Sequence, residues 1–234
     1  MKKQILSLLT MLLAGFTGLQ AQSADEIIGK YIDAIGGRDN IKKINTIRME
    51  GDIEVQGLKI PFTAQGINGK GFRTDGEFNG SKFIDIITPT MGWSQNPMAN
   101  RATLQPITEE ELKQKLDQLD IQDPFLDYKD KGSTVEYIGK DEEDGNEYHK
   151  IKLVTKHQRE STYFFDLKTN LIYKTETIMK QDGQEFPMVS KNFDYQLTDA
   201  GVKMPFKVDQ GGMVMATRKV VINPSLDDKL FTAN

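Results

Sequence analysis

Gly71-Phe72-Arg73-Thr74-Asp75-Gly76-Glu77-Phe78-Asn79-Gly80-Ser81-Lys82-Phe83-Ile84-Asp85-Ile86-Ile87, continuing through Gly92-Trp93 to Asn96-Pro97, decides the fold class. Asn79-Gly80 lies between two β-prone runs, and a two-residue hairpin turn of type I′ needs positive φ at both central residues. On the first arm Phe72, Thr74, Gly76 and Phe78 share one face, and Arg73, Asp75 and Glu77 share the other. One face suits an apolar interior and the other suits water. The second arm leads to Trp93, the one tryptophan of the chain.

Alternation extends in both directions from this hairpin. Upstream, Ile47, Met49, Gly51, Ile53 and Val55 alternate with polar residues. After Gly57, Leu58, Ile60, Phe62 and Ala64 do the same. Pro61 lacks an N–H, so the second of these strands is expected at an edge or a bulge. Downstream of Thr134, strand-like runs at 135–138, 148–154, 162–166, 172–179, 186–195, 203–209 and 214–222 alternate with turn signals. About eleven strands without crossover helices imply an antiparallel meander, and a sheet that long must curl. The expected architecture is α+β and mostly antiparallel. It is a curled, incomplete barrel with helices on its concave face.

Two helical segments break the β pattern. Ser23-Ala24-Asp25-Glu26 is a capping box before Ile27, Ile28, Tyr31, Ile32 and Ile35 at helical spacing, and Gly36-Gly37 supplies the stop. A short helical piece is expected over 40–44. Thr108-Glu109-Glu110-Glu111 is a second capping box, opening a helix whose Leu112, Leu116 and Leu119 form a narrow stripe. Such a stripe suits either a helix lying over an opening or an ordinary surface helix.

Met1-Lys2-Lys3, the apolar run to Leu19 and Gln20-Ala21-Gln22 have the pattern of a cleaved secretory signal peptide over residues 1–21. The remaining 22–234 carry no linker-like boundary and are expected to form one domain in the periplasm. Without Lys2 and Lys3 the balance is 28 basic against 34 acidic residues, a formal net charge of −6. That argues against nucleic acid as a partner, and no further run is long enough for a stable membrane span. With 0 cysteines there are no disulfides, thiolate nucleophiles or thiolate metal sites.

Hydrolase, zinc-protease, P-loop and dinucleotide signatures are absent. His149 and His157, the only histidines, stand near different turns without a paired nucleophile. The acidic run 141–147 does not have the ligand spacing of a calcium loop and reads as a solvated turn. No cofactor and no catalytic step are expected. The positive signal is soft and apolar: Met49, Met91, Met98, Met179, Met188, Met204, Met213 and Met215 accompany many phenylalanines. Methionine adapts to ligands of variable shape, although it is also ordinary core filler. Alternation and the helix stripe nominate Phe62, Phe72, Phe83, Trp93, Leu112, Leu116 and Phe125 as the lining of an apolar cavity.

Phe72, the Asn79-Gly80 turn, Phe83 to Ile87 and Gly92-Trp93-Ser94-Gln95-Asn96-Pro97 together resemble the outer-membrane lipoprotein carrier family, the LolA/LolB-like superfamily. The helix ending at Gly36-Gly37 and the segment 223–231 extend the resemblance over most of 23–231. It implies an incomplete barrel with a helical lid enclosing a cavity for acyl chains of a lipid or lipoprotein. It also implies exchange with inner- and outer-membrane sorting proteins. A sensor or partner-binding module on the same fold is the alternative. The carriers have an Arg-Pro whose arginine latches the lid. Here that place reads Asn68-Gly69-Lys70, so the latch is missing or replaced.

Overall fold

The computed structural model describes residues 24–181 and 184–233. The expected signal segment and Ser23 of the first expected capping box lie outside the described residues. Helix α1 covers 24–34 and α2 covers Arg38–Lys42. The first half of the sheet is β1 (Thr46–Val55), β2 (Leu58–Ile67), β3 (Gly71–Phe78), β4 (Ser81–Ile87), β5 (Gly92–Asn96) and β6 (Arg101–Pro106). Helix α3 (Glu109–Lys115) and a 3-10 turn (Leu116–Leu119) follow. The second half is β7 (Thr134–Glu143), β8 (Asn146–Val154), β9 (Glu160–Asp166), β10 (Ile172–Gln181), β11 (Gln184–Leu197), β12 (Lys203–Asp209) and β13 (Met213–Ile222).

The thirteen strands of the described residues form one antiparallel sheet in the order β6-β5-β4-β3-β2-β1-β13-β12-β11-β10-β9-β8-β7. Every neighbour is consecutive in sequence except β1 beside β13, so the expected curled meander is what the chain builds. Its seam lies in mid-chain, between edge strands β6 and β7, and the α3 segment connects those two edges. The sequence expectation of about eleven strands falls short. β6, Arg-Ala-Thr-Leu-Gln-Pro, shows no apolar alternation that would mark it as a strand. Nor is β2 an edge strand. Pro61 is tolerated because the β2–β3 ladder begins at Phe62 opposite Gly76, leaving the proline locally unpartnered on that side.

Asn79 and Gly80 take φ of 51° and 75° with Phe78 opposite Ser81, the two-residue turn that the sequence demands. The Asp144-Gly145 turn in the acidic run is built in the same way, with φ of 54° and 74°.

The face that packs against α1 is the inner one. Ile28, Tyr31, Ile32 and Ile35 of α1 are buried with Ile121, Phe125 and Leu126 from the segment after α3, and with Ile47, Ile151, Leu153, Phe165 and Ile172 from the sheet. Phe125 stands edge-on to Tyr31, Tyr163 and Phe165, at ring-centroid distances of 5.9, 4.8 and 5.2 Å. Edge-to-face packing of this kind is favoured by the ring quadrupoles. The amphipathic stripe of α1 thus seals one end of the concave face, while Glu26 and Lys30 pair at 2.7 Å on its wet side.

Candidate functional site: an apolar inner face under a strapped helix

Cross-strand partners share a face, so the register carries the inner face around the sheet. One row runs from Leu153 to Ser161, Thr177 and Met188. A second joins Asn192, Val208, Met215, Ile53 and Ile60. A third joins Thr217, Gly51, Phe62, Gly76 and Phe83. The end under α1 is fully buried. Away from it, Ile53, Phe83, Met179, Met188, Val208, Met213 and Met215 are only half-buried on the same face.

The seven nominated residues separate on this geometry. Phe62 is 3 % exposed and lies over Gly51, whose missing side chain makes room for its ring. Phe72 is half-buried against Gly66 and the α1-sealed core. Phe83 shares the row of Phe62. Leu112 and Leu116 are half-buried on and just after α3, and Leu116 lines a cleft of about 320 Å³ together with Leu119, Pro124 and Thr155. Phe125, at 1 % exposure, is locked in the aromatic core and is scaffold rather than lining.

Trp93 corrects the expectation. It stands opposite Ile86, which stands opposite Arg73, on the outer face. The inner residues of this region are Phe72, Ile87 and Gly92, one step out of phase with it.

Methionine was the better sequence signal. Met49, Met179, Met188, Met213 and Met215 lie half-buried on the inner face, and Met204 packs against the core. Met91 and Met98 are exposed in turns.

Helix α3 is strapped to both halves of the sheet. Its capping box is formed: Thr108 N–H donates to the Glu111 carboxylate at 2.8 Å, and Glu111 N–H donates to Thr108 Oγ1 at 3.2 Å. Toward the first half, Lys115 Nζ reaches the inner-face carboxylate of Asp85 at 2.6 Å, and Arg101 reaches Glu111 at 2.7 Å. Toward the second half, Thr155 Oγ1 donates to Asp117 at 3.0 Å, and Arg159 donates to the Gln114 carbonyl at 3.4 Å.

The place that the resemblance gives to the latch is bonded to the segment after α3. Gly69 N–H donates to the Leu119 carbonyl at 2.8 Å, and Asn68 Oδ1 accepts from Ile121 N–H at 3.3 Å. Lys70 turns away, 3.7 Å from exposed Asp228.

Three solved structures share this architecture. A DUF1329 family protein from Desulfovibrio piger superposes with a TM-score of 0.54 at 14% identity, over 87% of this chain and 95% of that one. A LolA superfamily protein from Nitrosomonas europaea gives 0.53 at 13%, over 91% and 97%. The fold is LolA-like. A putative outer membrane lipoprotein-sorting protein domain from Vibrio parahaemolyticus gives 0.52 at 12%, over 88% and 94%. At these identities the likeness is one of fold, and no family model and no curated protein matches the sequence.

Within the LolA-like fold, α1 and the segment after α3 are joined by two reciprocal tyrosine–carboxylate bonds. Tyr31 Oη donates to Asp123 at 2.6 Å, and Tyr128 Oη donates to Asp25 at 2.5 Å. Burial pushes the Asp123 carboxyl up to about 6, against the opposing pull of Tyr31, the Phe125 N–H and Lys131. No short motif in the sequence singles out Asp123.

The histidines are dispersed. His149 sits opposite Phe165 on the inner face, 3.3 Å from the Tyr137 hydroxyl, and burial lowers its pKa. His157 is in the β8–β9 turn. Among the described residues no helix is long and apolar enough to cross a membrane.

Proposed function

We propose that this chain is an exported carrier or chaperone that shelters the acyl chains of a lipid or lipoprotein between its inner face and α3. The observation that carries this reading is the change of filling along the inner face, whose buried polar pair Ser161 and Thr177 satisfy each other. The face is packed solid under α1 and only half-covered at Ile53, Phe83, Met188, Val208 and Met215. Those residues are aliphatic, aromatic or thioether, a lining that accepts chains without dictating their shape. Each methylene taken from water contributes about 0.8 kcal/mol.

The clefts bordering the 3-10 turn after α3 and α3 itself measure about 320 and 210 Å³, at or below the roughly 300–1,000 Å³ common for ligand pockets. Loading a long chain therefore requires α3 to lift, and its straps are polar contacts that can break and re-form. Hand-over to and from envelope sorting proteins supplies the partner side of this role, with no chemical step in the chain itself.

Titration of the mature protein with a dipalmitoylated lipopeptide tests the reading. Saturable, stoichiometric binding that Leu116→Asp or Met188→Asp weakens is expected. A folded protein that binds no acylated ligand would move the assignment to the partner-binding module. One observation favours that second reading. Ile178 and Phe186, 44 % and 42 % exposed, lie on opposite faces of the β10–β11 hairpin near its end.

A further inference from the structure

Strand β10 outruns its neighbour. Its last partner in β9 is Ser161, opposite Thr177, and Ile178–Gln181 continue beyond that pairing. The step leaves a cleft of about 210 Å³ between α3, the β8–β9 turn and the protruding end of β10. Glu110, Lys113, Gln114, His157, Gln158, Arg159, Ile178 and Met179 line it.

One wall is cationic. Among the described residues Lys113 and Arg159 have no carboxylate partner, in a chain of net charge −4. Arg159 is half-buried, and among the described residues its guanidinium makes one hydrogen bond, to the Gln114 carbonyl, although it has five donors to place. The nearby acids Glu111 and Asp117 are engaged with Arg101 and Thr155. Glu110, on the solvent side of the first turn of α3, is the opposing charge at the rim. The other wall is apolar, and Met179 follows Thr177 on the inner face, opposite Phe186 and next to Met188.

We infer that this cleft holds the acidic headgroup, carboxylate or phosphate, of an amphiphile whose tail lies along the inner face from Met179 toward Met188. The planar fork of Arg159 matches either oxyanion in a two-point contact, and Lys113 adds a second charge at the mouth. This rests on the acyl-carrier reading and narrows it from acyl chains in general to anionic amphiphiles.

The test is displacement of a fluorescent apolar reporter from the mature protein by three ligands of equal chain length: palmitate, palmitoyl-lysophosphatidate and hexadecanol. At least one of the acids is expected to displace at about tenfold lower concentration than the alcohol, the size of one charge-assisted contact. The stronger acid names the headgroup. Arg159→Gln combined with Lys113→Gln is expected to close that gap. In the unmodified protein raised salt should narrow it too, which needs no variant to fold. Hexadecanol displacing as well as both acids, or a gap that survives in the double variant, overturns the headgroup inference and leaves carriage standing. Displacement by none of the three overturns both.

Discussion

The Tyr31 hydroxyl donates a 2.6 Å hydrogen bond to the Asp123 carboxylate and so ties α1 to the segment that follows α3, across the most buried part of the molecule. Tyr128 returns the bond to Asp25 in the opposite direction. The two elements that cover the concave face are thereby fixed to each other. On the proposed carrier reading, opening of the site is left to α3.

Asp123 gives this junction a pH dependence. Its carboxyl titrates at about 6, raised from 3.8 by burial. A raised carboxyl is most favourable in the folded state below its unfolded pKa, and that contribution is lost as pH climbs through about 6. Asp123→Asn mimics the protonated form. Urea midpoints at pH 4 and pH 7 should therefore show the variant gaining on the parent as pH rises, by no more than about 3 kcal/mol. Parallel pH profiles would remove Asp123 as the cause.

The straps on α3 should be individually weak. Lys115 and Asp85 are 31 % and 27 % exposed, and pairs of this kind contribute about 0.2–1 kcal/mol. Lys115→Ala should speed amide exchange over 109–119 by up to about fivefold while leaving α1 protected. Equal acceleration in both helices would mean that α3 is not an independent lid.

Gly71 should not tolerate a side chain. A Cβ there would fall 2.3 Å from the ring of Phe231 in the C-terminal 3-10 turn (Asp228–Phe231), which Arg73 holds by donating to the Leu230 carbonyl at 3.0 Å. Gly71→Ala should cost about 1–3 kcal/mol and expose the tail to proteolysis. An unchanged melting temperature and cleavage pattern would contradict this packing.

Phe125 and Trp93 should behave in opposite ways. Phe125→Ala removes the centre of the aromatic core and should cost about 3–5 kcal/mol. Trp93 lies on the outer face, so its emission should not change when an acyl ligand loads. A large shift in emission on loading would place the ligand elsewhere.

Much of this was legible in the chain because local chemistry fixed it. Asn79-Gly80, the Thr108–Glu111 capping box and the α1 stripe each have a short-range cause, and each is where the residues put it. β6 was not legible because an edge strand of mixed residues has no buried face to pattern. The misplacement of Trp93 was avoidable. With Phe78 opposite Ser81, pairing puts Phe72 opposite Ile87 and then Gly92, so Trp93 must face away. Its apolar character outweighed its parity. Phe125 is buried, but sequence alone cannot separate a ring that lines a space from one that fills it. The seam between β6 and β7 depends on β1 closing on β13, a long-range choice that no local motif encodes.

The central claim is that acyl chains occupy the half-covered inner face. Mass spectrometry of lipids extracted from the mature protein, purified gently from its own compartment, tests it most directly. Stoichiometric acylated species, lost in a folded Leu116→Asp variant and retained in Trp93→Asp, are the expected result. A fully folded protein that carries no acylated molecule from that compartment would contradict it.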